Sequence, residues 1–148
     1  MYDINTQTKP QAGSPEVIGA GLLDAWNSHD VEQVMSYYAP NYVGVDVGQA
    51  TPEHGPDGKR DTVLRYLAAF PDLYFSVESA ITQGDMVAVS WIATGTHNGP
   101  YMRIPPTGRG INVRGVSMLT IAEGKIAHGV YIWDVAGLLR GIGLLPDL

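Results

Sequence analysis

The hydrophobic positions of this chain change period near its middle, from helical spacing to strand alternation. Val17, Ile18, Leu22, Leu23 and Trp26 recur every three to four residues after Pro15, a residue suited to a first helical turn. They predict a first helix. His29-Asp30 punctuates it, and Val31, Val34, Met35 and Tyr38 form a second apolar stripe that ends before Pro40. The β-branched run from Tyr42 to Val47 reads as a strand. A loop with Pro52, Gly55, Pro56 and Gly58 follows, then a third helix from about Lys59 to Phe70, with Val63, Leu64, Leu67 and Phe70 on one side and Pro71 as its stop.

From Leu73 onward the chain reads as strands: Tyr74 to Thr82, Met86 to His97, Gly110 to Ile121, and Lys125 to Trp133. Gly84-Asp85 and Glu123-Gly124 are turn signals at hairpin spacing. A last helix, Val135 to Gly141, is entered at Asp134, a good capping residue, and left at Gly143. Residues 1–14 are polar and aperiodic and are expected to form a loose arm, leaving 15–148 as one domain. Three helices before a mostly antiparallel sheet predict an α+β fold, with the sheet wrapped around the helices and a pocket at its open end.

Composition narrows the function classes. With 148 residues, 45% of them hydrophobic, the chain is long enough for a single core. The charge is −6 from fifteen acids and nine scattered bases, so the basic stripe needed for nucleic acid is absent. There are no cysteines to supply disulfides, thiolates or sulfur ligands. No apolar run reaches bilayer length and the N-terminus has no signal-peptide core, which predicts a cytoplasmic protein that avoids membranes.

Four segments carry a more specific likeness. Gly55-Pro56 with the helix ending Ala68-Ala69-Phe70-Pro71-Asp72-Leu73, then Gly95-Thr96-His97-Asn98-Gly99, then Ile104-Pro105-Pro106-Thr107-Gly108-Arg109, and finally Glu123 to Ile126 leading into Trp133 to Arg140, resemble the SnoaL-like polyketide cyclases. The resemblance spans about Pro15 to Leu145. It implies the cone-shaped fold shared with nuclear transport factor two and ketosteroid isomerase. It also implies cofactor-independent, metal-free aldol chemistry on a polyketide in secondary metabolism, including antibiotic biosynthesis, and pairing into a homodimer or larger homo-oligomer. In the family's aldol cyclases an aspartate on the last strand and a histidine on the preceding one do the chemistry. Matching the segments puts Tyr131 and Ser117 at those two places. The comparison with ketosteroid isomerase sets a general base near Asp46, but its oxyanion donors fall near Leu22 and Ser117.

The candidate catalytic set is therefore Asp46, His97 and Tyr131. Asp46 is a carboxylate in an apolar strand and is the first choice of base, with a water-facing turn residue as the alternative. Tyr131 shares strand parity with Gly129 and Trp133 and offers a phenol to an oxyanion, or else simply packs. His97, at a strand end, is either a proton shuttle or a loop anchor. Trp91, Tyr101, Ser117 and Trp133 are candidate substrate-binding residues for a hydrophobic ligand. His29, His54 and His128 are expected at the surface, the four histidines lack metal-ligand spacing, and Gly19-Ala20-Gly21 is no dinucleotide fingerprint. Three functions stay open: a cyclising or isomerising enzyme, a SnoaL-like hydroxylase or epoxide-opening cyclase, and a small-molecule binding protein without turnover.

Overall fold

A computed structural model describes residues 13–147. Residues 1–12 of the expected N-terminal arm, and Leu148, lie outside the described residues. The order is α1 (Pro15–Ser28), α2 (Val31–Met35), β1 (Tyr38–Asp46), β2 (Glu53–His54), α3 (Gly55–Ala69), β3 (Tyr74–Gln83), β4 (Met86–Thr96), β5 (Gly110–Ala122), β6 (Lys125–Trp133) and α4 (Val135–Gly141). The six strands form one curved sheet in the order β2-β1-β6-β5-β4-β3. Only β1 and β6 run parallel; every other neighbouring pair is antiparallel.

Local chemistry explains most of these boundaries. The Ser14 hydroxyl accepts from Val17 N and Pro15 opens α1, while His29 closes it in the left-handed region at φ 61°. Asp30 caps α2 by accepting from Glu32 N and Gln33 N. Asp134 caps α4 by accepting from Gly137 N, so its carboxylate is occupied as a helix cap. Glu123 and Gly124 take φ values of 51° and 74°, the left-handed pair that a tight hairpin needs between β5 and β6.

Three expectations change. Tyr38 belongs to β1 and not to the second helix, because β1 starts at once after α2 and pairs with β6. The third helix begins at Gly55, four residues earlier than its apolar stripe suggested, since Pro56 fits its first turn. The segment between β1 and α3, read as loop throughout, contains the short strand β2, whose Glu53 and His54 pair with Gly44 and Val43.

The inner face of the sheet is built by alternation. Val87, Val89, Trp91 and Ala93 of β4 face Ile111, Val113, Ser117 and Leu119 of β5, all buried. α1 packs over β3 and β4, α3 over β1, and α4 against β5. Ile18, Leu22, Leu23 and Trp26 of α1 complete the core, and the space they leave against the sheet's concave side is the site.

Candidate active site

The cavity lies between α1, α3 and the inner faces of β4, β5 and β6, with a volume of about 80 Å³. Its wall is mostly apolar, with Trp26, Phe75, Trp91 and Trp133 as the large surfaces. Phe75 meets Trp91 edge-on, with ring centres 5.1 Å apart. A side chain at Gly115 would collide with both Trp91 and Trp133, so glycine lets these two rings share one stretch of wall. The polar lining residues are Asp46, Lys59, Thr62, Ser117 and the hydroxyl-bearing rings of Tyr66 and Tyr131.

Asp46 is 5% exposed, so it is not the water-facing turn residue that its sequence position also allowed. Its Oδ1 accepts from Trp133 Nε1 at 2.8 Å and Gly48 N at 2.7 Å. Its Oδ2 accepts from Tyr66 Oη at 2.9 Å and Gln49 Nε2 at 3.3 Å. Four donors fill the carboxylate's acceptor positions, which holds it in one orientation against the cavity. Burial, and then the nearby Asp46 charge, push the Tyr66 phenol far above its ordinary value, so it remains a donor.

A second polar cluster sits beside the first. Tyr42 Oη donates to Glu53 Oε1 at 2.6 Å and lies 2.9 Å from Tyr131 Oη. Lys59 Nζ is 3.4 Å from the same Glu53 oxygen, and both side chains are almost wholly buried. The ammonium also stands over the face of Tyr131, 3.8 Å from the ring centre. Burial raises the phenols of Tyr42 and Tyr131 above their ordinary range, and Glu53 adds to this, so both are neutral hydroxyls. The Tyr131 ring folds back over Gly129, where any Cβ would strike its hydroxyl.

The structure thus gathers Asp46, Tyr131, Trp91, Ser117 and Trp133 at one cavity. His97 is elsewhere. It is fully buried, outside the cavity lining, and its Nδ1 accepts from Thr107 N at 3.3 Å and lies 3.0 Å from Thr107 Oγ1. Those contacts fix the loop between β4 and β5 and leave the ring away from the chamber, which is the anchoring role. Tyr101 also lies outside this lining, in a neighbouring hollow with Gln49, Arg65 and Met102 that shares Tyr66 with the cavity. It stacks on Tyr66 with ring centres 6.1 Å apart. His29, His54 and His128 are exposed.

Sequence reasoning passed over Tyr42, Glu53, Lys59 and Tyr66. Lys59 stands four residues before Val63 on the buried side of α3, a spacing that marks it as inward-facing. Tyr42 shares strand parity with Asp46, which was a usable signal.

Comparison with known proteins gives the family. The profile of the SnoaL-like polyketide cyclases matches residues 17–142, most of the chain. The chain belongs to this family. Among its relatives, aklanonic acid methyl ester cyclase AcmA of Streptomyces galilaeus is 24% identical over 128 residues, 82% of this chain and 85% of that protein. The solved structure of IdmH of Streptomyces antibioticus, a candidate polyketide cyclase, is 30% identical with a TM-score of 0.75, covering 87% of this chain and 98% of that one. AclR of Streptomyces galilaeus, a candidate hydroxylase, has a TM-score of 0.81 at 25% identity, covering 93% of this chain and 90% of that one. Among the described residues no helix is long and apolar enough to cross a membrane.

Proposed function

We propose that this SnoaL-like protein is a cyclase-type enzyme of secondary metabolism, acting on a hydrophobic, polyketide-like carbonyl compound with Asp46 as general base. The observation that carries the reading is a buried, oriented carboxylate on the wall of an otherwise aromatic and aliphatic chamber. To accept a proton, Asp46 must release one donor. Gln49 Nε2 is the longest of the four at 3.3 Å and has an alternative acceptor in Thr62 Oγ1 at 3.0 Å, so it is the bond to yield. Asp46 would take the proton from a carbon beside a carbonyl, giving an enolate. The enolate carbon then bonds to a second carbonyl carbon of the same molecule, and the resulting alkoxide takes the proton back from Asp46. The balance needs no oxidant.

The likeness to AclR supports a second reading, hydroxylation of a similar substrate. Both are tested with aklanonic acid methyl ester as substrate under labelled oxygen gas. A product of unchanged mass supports cyclisation, and oxygen incorporation supports hydroxylation. Asp46→Asn should lower kcat by about a hundredfold or more, the usual scale of a lost general base, with KM little changed. Turnover untouched by Asp46→Asn would remove Asp46 as the base. Saturable binding with no product across a panel of polyketide carbonyl and epoxide compounds would make the protein a binder.

A further inference from the structure

We infer that Lys59 and Ser117 together form an oxyanion-binding subsite, which selects ligands whose oxygen is acidic or becomes so: enolisable carbonyl compounds and phenols. The inference rests on the cavity being the reaction chamber and adds a role for two of its residues. It follows from asking which hydrogens of the polar lining are still free to meet a ligand.

Most are committed. Tyr42 carries one hydroxyl hydrogen and gives it to Glu53. Its contact with Tyr131 must then be one in which Tyr131 donates, which uses the single hydrogen of Tyr131 as well. The phenol that the sequence offered as an oxyanion donor is therefore directed away, toward the buried carboxylate. Tyr66 and Trp133 both donate to Asp46. Thr62 Oγ1 donates to Gln49 or to Gly58 O.

Two donors remain. Trp91 Nε1 donates to Ser117 Oγ at 3.0 Å, which occupies a lone pair and leaves the serine hydrogen without an acceptor among the described residues. The Lys59 ammonium has three N–H bonds and a single oxygen acceptor, Glu53 Oε1 at 3.4 Å; its other side meets only the ring faces of Tyr131 and Tyr38, 3.8 and 5.5 Å from their centres, contacts weaker than a hydrogen bond to an anionic oxygen. Ser117 and Tyr131 are directly opposed on β5 and β6, so the hydroxyl and the ammonium both adjoin the same ring. Among the described residues, Lys59 is the only basic side chain in the cavity lining. As Asp46 takes a proton, its negative charge passes to the ligand oxygen, and the one cation in the lining is there to receive it.

The experiment titrates 4-nitrophenol into the protein and follows the phenolate absorbance of the bound fraction against pH. Bound nitrophenol should ionise about one to two units below its value in free solution, the scale of hydrogen bonds to a charged group. Lys59→Met and Ser117→Ala should each return the bound value toward the free one by about a unit. Ser117→Ala changes one atom and keeps the test sharp if Lys59→Met does not fold. Glu53→Gln should lower the bound value further, because it frees Lys59 from its partner, a direction that loss of structure would not produce. The inference is overturned if nitrophenol does not bind, if it ionises at or above its free value in the wild type, or if Tyr131→Phe abolishes the shift while Lys59→Met keeps it. No turnover is read, so inactivity on aklanonic acid methyl ester leaves this result standing, and failure here leaves the Asp46→Asn kinetics standing.

Discussion

Removing the hydroxyl of Tyr66 isolates the bond that most specifically ties α3 to the candidate base. Tyr66→Phe keeps the ring, its stacking on Tyr101 and its edge contact with Trp133, and deletes only the donor 2.9 Å from Asp46 Oδ2. A hydrogen bond to a charged group contributes about 1.5–3 kcal/mol net. The lower half of that range applies, because Gln49 Nε2 remains on the same oxygen at 3.3 Å and can tighten. The expected loss is therefore about 1.5–2 kcal/mol, or roughly 3–8 °C in Tm for a domain of this size. Urea unfolding followed by tryptophan fluorescence measures it, and a double-mutant cycle with Asp46→Asn separates the pair from the rest of the network. A loss below about 0.5 kcal/mol, or a coupling energy of zero, would refute the claim that Tyr66 holds this carboxylate.

Gly129→Ala should be strongly destabilising for a single added methyl, because the new Cβ, on the buried side of β6, would lie 2.4 Å from the Tyr131 hydroxyl and must displace it from Tyr42; thermal unfolding reads the loss. Asp72, on the surface, is held below the ordinary carboxylate value chiefly by the Thr96 hydroxyl. Its folded value is thus below its unfolded one, so its contribution is full at neutral pH and is lost as pH falls through the folded value. The stability difference between wild type and Asp72→Asn should accordingly close on acidification. We also expect two copies to pair through the outer face of the sheet, where Ile81, Ala88, Met118, Val130 and Val45 form one row across five strands and Ile81, Met118 and Val45 are exposed. Light scattering should give a dimer mass that Met118→Glu reduces to a monomer.

Apart from β2, the order of elements from α1 to α4 was legible because it rests on local chemistry: Pro15, Asp134 and the Gly84-Asp85 and Glu123-Gly124 turns each act within a few residues. The parallel pairing of β1 with β6 was not, since Tyr38 and Val43 meet Ile126 and His128, 88 and 85 residues further along the chain. The site divides in the same way. Tyr131 and Trp133 could be placed together by strand parity and Asp46 by its apolar strand, and the three do meet. Glu53 could not, because β2 has two residues and shows no period. Lys59 was masked by its type: a lysine on an apolar stripe reads as a solvated edge, and only the carboxylate of Glu53 and the faces of Tyr38 and Tyr131 make its burial possible. His97 is buried, as Trp91 and Ala93 of the same parity are, but it stands beyond the end of β4, where its ring meets Thr107 and Phe70 and not the chamber.

The central claim is that chemistry takes place in the chamber bounded by Trp91 and Trp133, against residue 46. The most direct measurement is a crystal structure of the Asp46→Asn variant with aklanonic acid methyl ester. The ligand should lie between those two rings, with a carbon beside a carbonyl facing residue 46 and the carbonyl oxygen toward Lys59 and Ser117. A ligand seated instead in the hollow beside Met102, or on the outer face of the sheet, would contradict it.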